Sequence, residues 1–251
     1  MTDTTIGAKA PGIFRVGAVL SQAATILSRN FLTFFILTVI PTLPNLLFLG
    51  GAGLRGAEGR APGSAGLLVG IGVLLAIVLS VISQAVVLYA AFQSMRGRPV
   101  QAMESVQKGL TRVIPIIGVA ICMMIAIGIG FLLLVIPGLI AFAMFFVALP
   151  VCVVERLGPI RSLSRSAQLT KGHRWRLLGL FILLMLISAI VGGVLQVALE
   201  FIGGFVVTVI GSLVWNAAFG AYSSIVFVVA YHDLRVAKEG VDIERIAAVF
   251  D

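Results

Sequence analysis

Six long apolar stretches divide the chain, and all 28 charged side chains lie outside them. The stretches cover residues 31–49, 67–95, 114–136, 138–154, 177–199 and 205–231. Most are close to the roughly 20 residues that a helix needs to cross a hydrocarbon core of about 30 Å. A charged fraction of 11% and a mean hydropathy of +1.14 exclude a water-soluble domain, in which about 25% of residues are charged. The pattern predicts an all-α, polytopic membrane helix bundle with six transmembrane helices.

The positive charges fall mainly on one side of these stretches. If the N-terminus is cytoplasmic, 16 of the 18 Lys and Arg residues lie on the cytoplasmic side and two on the other. Membrane insertion retains Lys and Arg on the cytoplasmic side, so both termini are predicted to be cytoplasmic. The 14 Arg against 4 Lys are typical of a GC-rich bacterial genome, which predicts the bacterial inner membrane. Introduced cysteines should be labelled from outside at Gly56 and Ala65, and not at Ser105 and Ser164.

Three short segments, each starting at a proline, are predicted to be amphipathic helices in the cytoplasmic interface, because basic residues lie opposite an apolar face. Glu104 and Lys108 form a favourable i,i+4 pair on the second helix, and Arg161 and Arg165 lie on the polar side of the third, whose predicted C-cap is Gly172. The helices start at Pro11, Pro99 and Pro159, and their predicted apolar faces comprise Ile13, Val16, Leu20, Ala24 and Leu27; Val100, Met103, Val106 and Leu110; and Ile160, Leu163 and Ala167.

Residues 1–251 are predicted to form a single membrane domain. Each amphipathic segment precedes two spans, which suggests three repeats of one orientation at 11–95, 99–154 and 159–231, before a cytoplasmic tail at 232–251. The alternative is that any cytoplasmic loop before a span looks like this. Outside, Pro137 and Gly138 predict a tight turn, and residues 200–204 close the last hairpin. Pro150 is expected to kink the fourth span.

The spans lack the chemistry that catalysis and coupled transport need. None contains a charged residue or histidine at depth, whereas proton- and ion-coupled transporters and intramembrane enzymes place ionisable groups there. Cys122 and Cys152 have no metal-ligand spacing and are predicted to be packing residues. No catalytic, metal or cofactor site is predicted, and the chain is predicted not to be an enzyme. The net charge of +8 is attributed to topology and to anionic lipid rather than to nucleic acid.

Three amides within the spans, Gln84, Gln196 and Asn216, are candidate intramembrane polar contacts. They lie beside small residues at helical spacing, an arrangement that favours close packing of helices with hydrogen bonds between them. A polar-lined cavity around the three amides is the functional alternative. A groove for a lipid tail also remains open, since such a groove needs only apolar walls.

Several short motifs follow one another in a distinctive order. They are Ile136-Pro137-Gly138, Val154-Glu155, Gly158-Pro159, Ser166, Leu169-Thr170-Lys171-Gly172, Trp175-Arg176 and Tyr231-x-Asp233-Leu234-Arg235-x-x-Lys238-Glu239-Gly240-x-Asp242. In this order the motifs resemble the membrane domain family associated with bacterial glycerophosphoryl diester phosphodiesterases. The resemblance implies a multi-pass membrane module. In family members with phosphodiesterase activity a soluble catalytic barrel follows that module, and none of the 251 residues matches it, so no activity is implied here.

The family motifs cluster on the predicted cytoplasmic face. Carboxylates after the fourth and sixth spans are expected to pair with Arg161, Arg165 or Lys171 and to hold the amphipathic helices beneath the bundle. The candidate lipid-headgroup or partner surface comprises Glu155, Arg156, Arg161, Arg165, Lys171, Arg174, Arg176, Asp233, Arg235, Lys238 and Glu239.

Together these features predict a non-catalytic integral membrane protein that acts as a scaffold or accessory subunit. Its predicted partners are membrane lipids with anionic headgroups on the cytoplasmic side, and another protein or a second copy of the chain. The alternative is a permease or lipid-handling transporter with an apolar cavity between helices.

Overall fold

The computed structural model describes residues 14–39, 62–95 and 102–239, without the side chains of residues 62–78, 102, 108 and 205. This part of the chain is helical and contains no strand, which confirms the all-α prediction for it. The helices are α1 (Val16–Arg29), α2 (Phe31–Val39), α3 (Pro62–Met95), α4 (Ala102–Leu110), α5 (Val113–Leu133), α6 (Val135–Phe145), α7 (Ala148–Val154), α8 (Pro159–Thr170), α9 (Arg174–Gly204) and α10 (Val206–Glu239).

Four helical units are long and apolar enough to cross a membrane. They are α5, the combined α6–α7 unit, α9 and α10, and the pair α1–α2, bent by 88°, could provide a fifth. The predicted second span lies within α3, a helix of 34 residues whose segment Leu79–Met95 is apolar. Only residues 31–39 of the predicted first span are described, because residues 40–49, with Pro41 and Pro44, lie outside the described part.

The breaks between these helices have local causes. Gly204 separates α9 from α10 with φ 65° and ψ −165°, a conformation open to glycine and costly for other residues. The chain reverses between α5 and α6 at the extended Leu134. Pro137 and Gly138, which were predicted to form this reversal, lie instead in the first helical turn of α6. Proline is tolerated there because the first amides of a helix have no intrahelical acceptor. Pro150 lies in the first turn of α7, just after the break in the fourth span.

The buried core lies at one end of the bundle, where α3, α7 and α10 finish and α5 and α9 begin. We call this the charged end. Side chains from all five helices form one cluster there, including Leu88, Ile116, Val151, Leu180 and Leu234. At the opposite end the α5–α6 and α9–α10 hairpins expose large apolar side chains. In a membrane protein lipid tails cover such surfaces.

Helices occupy the three positions predicted to be amphipathic, and the faces that they bury within the protein are not their predicted apolar faces. In α8 the buried residues are Ser162, Ser166, Leu169 and Thr170, while Ile160 is 78% exposed and Leu163 and Ala167 are half-buried. In α4 the buried positions are Ser105 and Gly109, and Met103 and Leu110 are exposed. In α1 the buried residues are Val19, Ala23 and Ile26, and Ala24 is exposed.

The predicted apolar faces were assigned to the membrane interface, and that assignment stays a prediction. The faces that α4 and α8 turn toward the bundle carry small side chains, because close contact between helices favours them. A Cβ atom added to Gly109 would lie 2.6 Å from Cγ2 of Val86 and 3.1 Å from its Cα, so α4 crosses α3 almost backbone to backbone. The Ser166 hydroxyl donates to the Met144 carbonyl at 2.8 Å, which brings α8 into contact with the backbone of α6. The predicted residues Pro11, Ile13, Pro99 and Val100 lie outside the described residues.

Candidate functional site

Three helices bring five polar side chains together at the charged end. Glu155 is the C-cap residue of α7, and Arg165 lies in the middle of α8. Tyr231, Arg235 and Glu239 are spaced by four residues along α10, a spacing that places them on one face of the helix. The three elements are joined by contacts between residues more than 70 positions apart in sequence.

The five side chains form a closed circuit of hydrogen bonds, which we call the ion-pair ring. Arg165 Nε donates to the Glu155 carboxylate at 3.3 and 3.1 Å, and Arg165 Nη2 donates to Glu239. Arg235 Nε donates to the other Glu239 oxygen at 2.9 Å, and its Nη1 donates to the Tyr231 hydroxyl at 3.3 Å. Tyr231 donates in turn to Glu155 at 2.8 Å, which closes the circuit.

The ion-pair ring contains two carboxylates and two guanidinium groups, so its charges balance. Its ionic side chains are 16% to 26% exposed, and Tyr231 is fully buried. Burial by itself would lower the pKa of the Arg165 guanidinium, but its bonds to Glu239 and Glu155 raise that pKa above the ordinary value. Arg165 therefore stays charged at physiological pH. The ring fixes α8 against α7 and α10, and partial exposure keeps the free energy of each ion pair modest.

Arg165 is the one of the three proposed basic partners that the structure places against Glu155 and Glu239. Arg161 and Lys171 are exposed at either end of α8. Arg156, directly after Glu155, is exposed and has a φ of 56°, a left-handed conformation that is unusual for a residue with a side chain.

The remaining residues of the predicted surface lie around α9 and α10. Arg176 donates to the Phe14 carbonyl at 3.2 Å and so ties the start of α9 to the segment before α1. Arg174 is half-buried, and Lys238 is exposed. Asp233 is buried, with His232 Nδ1 3.6 Å from its carboxylate.

A second polar cluster connects α3 with α4 at the same end. The Gln93 amide donates to Glu104 at 2.9 Å, and the Ser105 hydroxyl donates to the Gln93 carbonyl oxygen at 3.2 Å. The sequence placed Glu104 on the polar outer side of its helix, paired with Lys108. No local signal marked Gln93 as a site residue. Tyr231 begins one of the family motifs but was not named as a site residue, although the spacing of Tyr231, Arg235 and Glu239 could have indicated that the three share a face.

Two of the three intramembrane amides lie in one cavity. Gln196 and Asn216 face an open cleft of about 220 Å³ between α9 and α10, and Gln84 does not line it. Gln196 donates to Glu200 at 3.0 Å, and Asn216 donates to the Ser212 carbonyl of its own helix at 2.7 Å. In the described part of the chain, no group of three or more His, Cys, Asp or Glu side chains could hold a metal ion.

Comparison with known proteins gives one match. Residues 100–234, just over half of the chain, match the model of a family described as a domain of unknown function (DUF7847). This range runs from just before α4 into α10 and includes Glu155, Arg165 and Tyr231. No curated protein and no solved structure matches the chain. The family description does not mention phosphodiesterases, so the resemblance noted from the motifs stays a prediction.

Proposed function

The chain belongs to the DUF7847 family of unknown function, and from its own structure we propose that it is a non-catalytic membrane scaffold or accessory subunit. We place it in the bacterial inner membrane, with six spans and with both termini and the charged end in the cytoplasm. We also propose that it is related to the phosphodiesterase-associated membrane domains. The charge asymmetry of the sequence supports this orientation.

The ion-pair ring is the observation that carries the proposal. Each of its acidic and basic groups is bonded to another member of the ring, an arrangement that suits a rigid joint better than a proton-transferring site. A joint of this kind holds α7, α8 and α10 in a fixed relation. Exposed basic residues belong to the same helices or to the segments next to them, namely Arg156, Arg161, Lys171, Arg176 and Lys238. A rigid element with a basic rim suits an acidic surface on a protein partner and anionic lipid headgroups.

Isolation from native membranes in a mild detergent tests this function. Mass spectrometry should identify a protein that co-purifies with the wild-type chain at a stable ratio. The rim variant Lys171→Gln/Lys238→Gln should lose that protein while keeping its fold. The matched control is Lys9→Gln/Arg15→Gln, which removes the same charge from the N-terminal region. Turnover of a substrate by the isolated chain, or equal retention of the partner by both variants, would contradict the proposal.

A permease or lipid-handling transporter is the second candidate, and the cleft between α9 and α10 favours it. The cleft is lined by Gln196 and Asn216 together with Trp215. Reconstituted vesicles discriminate the two functions, because a transporter should give solute flux or lipid transfer above that of empty vesicles. Substituting Gly192→Leu would fill the cleft beside Trp215 and should abolish such flux. A scaffold gives no flux in either form.

A further inference from the structure

The exposed face of α5 continues onto the beginning of α8. Ile114, Gly118, Ile121 and Ile125 follow one another at helical spacing on one face of α5, and the three isoleucines are 84%, 50% and 56% exposed. Pro159 packs on this same face, since a Cβ atom on Gly118 would lie 2.6 Å from Pro159 Cγ. The next residue, Ile160, is 78% exposed. The first turn of α8 therefore lies on a face of α5 that carries apolar side chains outward.

Basic residues border this apolar surface. Arg112 precedes Ile114 by two positions, and Arg161 directly follows Ile160. Arg112 is half-buried and Arg161 is exposed. We call Arg112, Ile114, Gly118 and Pro159–Arg161 the α5–α8 seam. On each helix an exposed isoleucine lies within two positions of an arginine, Ile114 near Arg112 and Ile160 beside Arg161. Such a change from apolar to basic side chains is typical of the boundary between hydrocarbon and headgroups.

The side of α8 that faces the bundle carries hydroxyl side chains, whereas the seam isoleucine faces outward. That side packs on the bundle through serine and threonine hydroxyls, with Ser166 and Thr170 bonded to the Met144 carbonyl at 2.8 and 3.3 Å. In the first turn of α8 the isoleucine is exposed and Ser162 is buried, whereas Ser164 and Gln168 are exposed further along the helix. The first turn therefore suits an apolar outer phase, and the turns after it suit the polar interface. Acyl chains supply the apolar phase, and they are the occupant that the exposed Ile114 and Ile160 require.

We propose that the α5–α8 seam binds an anionic phospholipid of the surrounding leaflet, with its acyl chains on Ile114 and Ile160 and its phosphate between Arg112 and Arg161. Guanidinium groups bind phosphate oxygens through paired hydrogen bonds. Arg165, one turn further along α8, is held in the ion-pair ring, which leaves the two seam arginines for the lipid. The site rests on the proposed scaffold function and specifies its lipid partner.

Site-directed spin labelling tests the depth of the seam. The full chain is labelled at Ile160→Cys or at Lys238→Cys in a Cys122→Ala/Cys152→Ala background and reconstituted in vesicles of phosphatidylcholine with phosphatidylglycerol. The label at position 160 should be relaxed by oxygen and protected from a water-soluble nickel chelate, and the label at the exposed position 238 should behave in the opposite way. Equal access of the nickel chelate to both labels would overturn the proposal.

Lipid selectivity tests the phosphate contact on a chain with its native isoleucines. Native mass spectrometry of the wild-type protein with mixed lipids should show a preference for phosphatidylglycerol over phosphatidylcholine. Because each basic residue at an anionic surface contributes about a fivefold effect, Arg112→Gln/Arg161→Gln should lower that preference by about an order of magnitude or more. The matched control Arg29→Gln/Lys238→Gln, with the same change of charge, should lower it far less.

Other outcomes are equally informative. Equal binding of the two lipids by the wild-type protein, or an equal loss in the control variant, would contradict the site. Displacement of the lipid by inorganic phosphate would show that the acyl chains contribute nothing, and would also overturn it. The seam variant should retain the co-purifying protein, which separates this site from the scaffold function. Turnover by the wild-type chain, or the absence of any protein that co-purifies with it, would refute the scaffold function and leave lipid selectivity unchanged.

Discussion

Alanine substitution at Gly130 of α5 tests how closely the α5–α6 hairpin is packed. A Cβ atom at this position would lie 2.9 Å from Gly138 Cα, 3.1 Å from Gly138 N and 3.2 Å from the Pro137 carbonyl carbon. These neighbours are all backbone atoms, so no side-chain rotation can relieve the contact. The two helices must separate, or the turn at Leu134 must distort.

Gly128, two residues earlier on the same helix, is the matched control. A Cβ atom there would meet nothing within 4 Å. Alanine is favoured over glycine inside a helix by up to about 1 kcal/mol, and both variants gain that contribution. Gly130→Ala also carries an overpacking cost of about 1–3 kcal/mol. We therefore expect Gly128→Ala to be neutral or stabilising, and Gly130→Ala to have a free energy of unfolding about 1–3 kcal/mol lower than the control.

Reversible unfolding in mixed micelles of increasing denaturing-detergent content, followed by the loss of helical circular dichroism, measures the difference. The two substitutions are chemically identical and lie on one helix, so their effects on helix propensity and on detergent binding cancel in the comparison. If Gly130→Ala were as stable as Gly128→Ala, the close crossing of α5 and α6 would be refuted.

Three further predictions concern the charged end. Tyr231→Phe removes the hydroxyl bonded to the Glu155 carboxylate and should lower the free energy of unfolding by about 1.5–3 kcal/mol. The control Tyr222→Phe, which removes a hydroxyl bonded to a neutral carbonyl, should lower it by about 0.5–1.5 kcal/mol. Equal losses would contradict the bond between Tyr231 and a charged carboxylate. Arg156→Gly should stabilise the fold by up to about 1 kcal/mol, because glycine adopts a φ of 56° without strain, and Arg156→Ala should not. Burial and the charges of Arg176 and Lys238 lower the pKa of His173, so the unfolded chain binds the proton more readily, and stability should fall as the pH drops below about 6.5. Chemical denaturation from pH 7.5 to 5.5 should show a weaker pH dependence for His173→Gln, and an unchanged dependence would refute the assignment.

The positions of the helices follow largely from local sequence. Apolar runs of membrane-spanning length predicted α5, the α6–α7 unit, α9 and α10, because hydropathy and helix length depend only on residues near one another. The last hairpin was predicted to close at residues 200–204, and the chain breaks at Gly204. The predicted C-cap of α8, Gly172, lies one residue beyond the observed C-cap Lys171 and has a positive φ. The turn between α5 and α6 was misplaced by a few residues, since Pro137 and Gly138 suit a first helical turn as well as a loop.

Which side of each short helix faces the bundle could not be predicted in the same way. The spacing of apolar residues assigned Ile160 and Met103 to faces turned toward the membrane interface, and it carried no signal for the faces turned toward the bundle. In the structure the inner faces carry Ser166 and Gly109, since the crossing distances at Met144 and Val86 admit only small side chains. A crossing distance belongs to two helices at once, and neither helix encodes it alone.

The sequence by itself determined that the chain forms several helices long and apolar enough to cross a membrane, and it predicted one side for most basic residues, because charge and hydropathy act at each position independently. It also brought Glu155, Arg165, Arg235 and Glu239 into consideration as a group. Only the tertiary structure decided that these residues close a ring through Tyr231, and that α8 turns Ser162 and Ser166 inward and Ile160 outward. Both outcomes depend on which helices meet across more than 70 residues of chain, and that choice is made by packing of the whole bundle.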